Sequence, residues 1–263
     1  MSTQIHPTAV VGPKAILGSN VVIGPFAVID DDVIVGDNTS IGPHVYCADG
    51  ARIGSGCAIH HGAVVATPPQ DLKYKNEKTT FVIGDRTTIR EFCTLNRGTA
   101  EHMKSTVGSD CLLMAYVHVA HDCTIGNNVI LANSVQMGGH VTIEDWAIVG
   151  GVTAIHQFAS VGEHAMVGGH FRVAKDVPPF ILAGGAPLTY EGLNIVGLRR
   201  RGFSKESLDA LEQAFHTLYF SKLNVSQAVQ TIKEAGPKSP EVDRLLAFIA
   251  RSKRGIITTH ARG

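Results

Sequence analysis

An aliphatic side chain recurs at every sixth residue along most of this chain. The series runs Ile5, Val11, Leu17, Ile23, Ile29, Val35, Ile41, Cys47, Ile53, Ile59 and Val65, and it returns at Ile83, Ile89 and Leu95. From Val107 it continues without a break through Leu113, Val119, Ile125, Leu131, Met137, Ile143, Val149, Ile155, Val161 and Val167 to Val173. Four residues after each comes a small or β-branched residue, such as Ala9, Val21, Thr39, Ala63, Val129 or Thr153. Neither the helical period of about 3.6 nor simple alternation produces a strict period of six. Short strands joined by tight corners do, with two inward side chains per hexad and with Gly, Asn and Asp permitting positive φ at the corners. Stacked parallel strands at about 4.8 Å per rung are the predicted core.

The pattern resembles the hexapeptide-repeat family, in which three hexads close one triangular coil. That resemblance implies a mainly β protein, a left-handed parallel β-helix, here over residues 1–186. Two polar stretches break the hexads, near 67–80 and 99–106, and are expected to leave the coil as loops that gather binding groups. After Val177-Pro178-Pro179 the period changes. Ser204 precedes Leu208, Leu211, Phe215 and Leu218; Asn224 precedes a short segment ending at Gly236; Ser239-Pro240 precedes Val242, Leu245, Leu246 and Ile249. These are helix starts, and they predict a small α-helical domain over 187–263.

Composition narrows the function classes. The formal net charge is zero, which gives no global attraction to nucleic acid. The chain is asymmetric, however: from Pro187 onward twelve Lys/Arg stand against seven Asp/Glu, and such a tail suits an acidic partner. No signal-peptide pattern and no apolar run of about 18 residues is present, so no transmembrane segment is expected. The five cysteines form no C-x-x-C pair. Four fall at the small inward position and Cys47 at the aliphatic one, which reads as core packing in a reducing, cytoplasmic setting.

With 18 residues per coil, His121, Gly139 and Gln157 stack in one column, and Asp122, His140 and Phe158 in the next. His118 projects outward just before, and His156 adjoins Gln157. A histidine beside a carboxylate suits general-base catalysis, the carboxylate fixing its tautomer. The Gly139 N–H can face a developing oxyanion. The set His118, His121 and His140 could also hold a zinc ion completed by water, as in hexapeptide-repeat carbonic anhydrases, which is the weaker reading, and a non-catalytic scaffold is a third.

The segments AYVHVAHDCTIGNN (115–128), QDLKY (70–74), GGHV (138–141), HQF (156–158), AKDVPPF (174–180) and GLRRRGFS (197–204) are similar, together, to the UDP-N-acetylglucosamine O-acyltransferases of lipid A synthesis. That resemblance implies a cytoplasmic homotrimer with active sites between subunits and no metal or other cofactor. The implied reaction moves an (R)-3-hydroxyacyl chain from acyl carrier protein to the sugar 3-hydroxyl. His121 is the implied base, Asp122 its orienting carboxylate and the Gly139 amide the oxyanion donor. Asp71, Lys73, His118, His140 and Gln157 are the implied substrate contacts, with Asn194, Arg200 and Arg201 around uridine and phosphates. The basic tail would then dock the acidic carrier protein. Gly169 is the implied acyl-length position, with His170 beside it. The choice between the common sugar and its 3-amino analogue stays open.

Overall fold

A computed structural model describes residues 2–259. Short strands, most of two residues and most recurring every six, assemble into three sheets of 11, 9 and 8 strands, which form the walls of a triangular parallel β-helix and, in the largest sheet, a closing hairpin. Register is regular: Val22 and Ile23 lie against Ser40 and Ile41, and Gln136 and Met137 against Ala154 and Ile155, each 18 residues on. The aliphatic series from Ile23 to Val173 points inward and is at most 3 % exposed. All five cysteines are buried in that core, as the register predicts. Burial pushes the thiols of Cys47 and Cys123 up to about 12, which makes them inert packing groups.

Corner chemistry differs from the expectation in one respect. Positive φ falls on the fourth residue of the hexad and is tolerated there by Phe26, Trp146 and even the β-branched Val152, as well as by Asn38 and Asp122. The glycine after the aliphatic residue has another role. A Cβ on Gly36 would lie 2.7 Å from the backbone of Gly54, and one on Gly24 would lie 3.0 Å from that of Gly42. At Gly36 the coils approach too closely for a side chain, and at Gly24 the neighbouring backbone would have to give by a few tenths of an ångström.

The chain leaves the coil between the strands Val64–Thr67 and Thr80–Ile83, and again between Thr94–Asn96 and Lys104–Val107. The second loop is therefore shorter than its polar composition suggests, since residues 104–106 already belong to a strand. Beyond Val173, Ile181–Gly184 adds a last parallel strand and turns back as an antiparallel hairpin with Thr189–Leu193. Among the described residues four helices follow: α1 (Ile195–Arg200), α2 (Lys205–Phe220), α3 (Val225–Ala235) and α4 (Pro240–Arg251). Ser204, Asn224 and Ser239 cap the last three, with a reciprocal Asn224–Gln227 capping box and Pro240 in the first turn. The short α1 carries no apolar periodicity, and the sequence did not announce it.

Helix α4 is fastened to the coil by charge. Arg244 pairs with Glu163 at 2.9 Å and Arg251 pairs with Glu144. Two of the tail's excess cations thus face the coil. Among the described residues no helix is long and apolar enough to cross a membrane.

Candidate active site

The corner between the 9- and 8-stranded sheets holds residues 121–122, 139–140 and 157–158, one pair per coil. His121 and Asp122 form a pair, Nδ1 to Oδ2, at 2.9 Å. Asp122 faces out of the coil, but it is not at the surface: its side chain is 0 % exposed. The second loop folds over it, and Thr99 grips the carboxylate with its N–H on Oδ1 at 2.9 Å and its hydroxyl on Oδ2 at 2.6 Å. Burial alone would raise this carboxyl, but the hydrogen bonds from Thr99 and His121 prevail and hold it below the usual carboxylate range. An ionised carboxylate only accepts, so His121 Nδ1 donates to it, and in the neutral ring Nε2 is the nitrogen that holds the lone pair. Nε2 has no partner among the described residues.

Gly139 sits directly over the ring. A Cβ there would lie 2.5 Å from His121 Cε1 and 2.6 Å from Nε2. The Gly139 N–H finds no acceptor among the described residues, whereas its carbonyl accepts from Phe158 N–H at 3.0 Å. The unpartnered Gly139 N–H thus belongs to the residue packed on the His121 ring, and His121 itself lines an open space. That space is a groove of about 670 Å³ whose lining includes Asp71, Lys73, His121, His140 and Gln157. The first loop supplies Asp71 and Lys73, with the Lys73 N–H bonded to Asp71 Oδ1 at 2.9 Å. His118 stands one step away on its strand and shares a 2.7 Å hydrogen bond with Thr94 Oγ1, and burial lowers its pKa.

Other residues singled out in the sequence lie elsewhere in this chain. Gly169 and His170 are exposed on the edge between the 11- and 9-stranded sheets. Asn194 caps α1: its Oδ1 accepts from Gly197 N–H at 3.2 Å and its Nδ2 donates to His164 O at 3.0 Å. It is only 4 % exposed. Arg201 lies over Trp146 at 5.1 Å and reaches His164 Nδ1 at 3.4 Å, on the third edge. His164 is driven down to about 4, chiefly by burial and then by Arg201. Arg200 is exposed. The zinc set His118, His121 and His140 does not assemble. Among the described residues the clusters with ligand atoms within 4.8 Å of one another are His121, Asp122 and His140, and Glu101, His102 and His140.

Sequence reasoning missed Thr99. It belongs to no repeat, and only its place just inside a polar excursion pointed toward binding groups. Thr99→Val should raise the Asp122 carboxyl, read by carbon NMR of the labelled carboxyl. The sign for stability follows. A depressed carboxyl stabilises the fold above its unfolded value of about 3.9, and this is lost as pH falls through the lower folded value. The variant should lose that contribution at higher pH than the parent, and coincident acid-unfolding curves would contradict the assigned grip.

Comparison with known proteins now decides the family. The profile described as Udp N-acetylglucosamine O-acyltransferase, Domain 2, matches residues 176–257, and that of the bacterial transferase hexapeptide (six repeats) matches 104–139. The acyl-[acyl-carrier-protein]–UDP-N-acetylglucosamine O-acyltransferase of Chlorobaculum parvum is 58% identical over 254 residues, 96% of each chain. The chain belongs to the UDP-N-acetylglucosamine O-acyltransferase family. Its counterpart from Chlorobaculum tepidum is 59% identical over 94% of both chains. The crystal structure of the Bacteroides fragilis acyltransferase superposes with a TM-score of 0.95 at 46% identity, covering 97% of this chain and all of that one. This protein is an acyltransferase on a hexapeptide-repeat β-helix.

Proposed function

We propose that this acyltransferase moves an (R)-3-hydroxyacyl chain from acyl carrier protein to the 3-hydroxyl of UDP-N-acetylglucosamine, the opening step of lipid A synthesis. The observation that carries the reading is the His121–Asp122 pair, with Nε2 unpartnered among the described residues, His121 lining the groove and Gly139 packed on its ring. His121 Nε2 takes the proton of the sugar hydroxyl, and the oxygen attacks the thioester carbonyl. The Gly139 N–H stabilises the oxyanion of the tetrahedral intermediate. Collapse forms the ester, breaks the C–S bond and returns the proton from His121 to the departing thiolate. Asp122 stays ionised throughout and steadies the imidazolium.

The site is completed between subunits of a homotrimer. Asp71, Lys73, His118, His140 and Gln157 surround one edge, Gly169 and His170 occupy a second, and Asn194, Arg200 and Arg201 lie by a third. One prism cannot turn two edges into the same groove, but two neighbouring copies can. Exposed apolar groups support such packing: Phe26, Phe92, Tyr116 and Val152 run along the Gly169 edge, and Leu72 on the first loop is fully exposed. Gly169 then limits acyl length and Arg200 meets the pyrophosphate, while Asn194 and Arg201 fix α1 in place.

The test is turnover of 3-hydroxyacyl carrier proteins of several chain lengths with UDP-N-acetylglucosamine, run beside a light-scattering mass. Ester formation, and a mass near three times 28.0 kDa, are expected. Absence of acyl transfer with every donor would overturn the reaction, and a monomer with full activity would overturn the shared site.

A further inference from the structure

His140 is an imidazole without a hydrogen bond. Its Nδ1 is buried and unpartnered. Its Nε2 faces Glu101 Oε2 at 3.7 Å and Asp122 Oδ2 at 3.8 Å, both too long for a hydrogen bond. The ring is held by stacking on Phe158 at 4.5 Å and by edge contacts with His121 and His102 at 5.1 and 5.3 Å. Glu101 and His102 hang over it from the exposed second loop, and each of the three offers a ligand atom within 4.8 Å of the others.

We propose that Glu101, His102 and His140 form a divalent transition-metal site on the rim of the groove, of the chemistry that takes Zn2+. Two imidazoles and one carboxylate make a three-ligand zinc set that leaves a fourth position for water. With bonds of about 2.1 Å the ligand atoms would stand about 3.4 Å apart, so the loop must close by roughly an ångström. Glu101 and His102 are exposed and free to make that movement. The alternative cluster with His121 is a poorer host. Asp122 already accepts three hydrogen bonds, and His121 has committed Nδ1 to it.

A metal here draws the second loop down over the groove and occupies His140. Zn2+ should therefore compete with the acceptor sugar, a consequence that rests on the acyl-transfer reading, whereas metal binding itself does not. Calorimetric titration of the full chain with zinc chloride should find one site per chain. Its affinity should fall by roughly tenfold or more in Glu101→Gln and in His102→Ala. His102→Ala should keep its metal-free turnover and lose the inhibition that zinc imposes on the parent. Unchanged zinc affinity in both variants would overturn the site, as would affinity lost only in His121→Ala, or no binding at all. If the chain transfers no acyl group, the calorimetry still decides the metal site.

Discussion

His121→Ala is expected to slow acyl transfer from a 3-hydroxyacyl carrier protein to UDP-N-acetylglucosamine by about 10²–10⁴-fold, with little change in KM for either substrate. The imidazole holds the unpartnered lone pair in the groove, and its Nδ1–H is fixed by a carboxylate that Thr99 clamps from two sides. Loss of the ring leaves those two Thr99 bonds in place, so the coil and the second loop should survive. Circular dichroism and the molecular mass check that survival, and steady-state kinetics at saturating donor check the rate. Asp122→Asn should retain the ring but free its tautomer, which also removes most of the rate. A His121→Ala protein that turns over within a few fold of the parent would sink the assignment of the base.

The period of six was enough to read the coil, its inward and outward faces and the stacking of His121, Gly139 and Gln157. Each of these follows from local geometry that repeats, so a missing side chain in one rung is corrected by its neighbours. What escaped the sequence is what does not repeat. Asp122 lies outward by register, yet it is buried because Thr99, 23 residues earlier on an irregular loop, folds back on it, and no spacing rule encodes that cover. The Ile181–Gly184 hairpin and the six-residue α1 are similarly silent, being too short to show a period. Charge was legible only as a sum. The excess of Lys and Arg in the tail is visible along the chain, but the pairing of Arg244 and Arg251 with glutamates of the coil depends on where α4 docks. The scatter of the expected site residues over three edges has the same origin. The sequence orders residues along one chain, whereas the proposed groove between copies would join positions that a single chain keeps apart.

Gly139→Ala isolates the contact at the centre of the site. The added methyl would stand 2.5–2.6 Å from His121 Cε1 and Nε2, far inside any real carbon contact. Gly139 is not in the left-handed region, so alanine adds no backbone strain and the whole effect is steric. The ring can yield only by rotating off Asp122 or by spreading two coils, and overpacking of this kind costs about 1–3 kcal/mol. Either movement displaces Nε2 by about an ångström, for which a loss near 10²-fold in kcat is expected. The Gly139 N–H survives the substitution, so a large loss reports on the base rather than on the oxyanion donor. A double variant separates the two further. If Gly139→Ala acts by displacing His121, it should cost almost nothing in a His121→Ala background, since the group it moves is already gone. Additive losses would instead assign Gly139 a role independent of the histidine, and a Gly139→Ala enzyme with parental kcat would show that the ring has room that the coil geometry denies it.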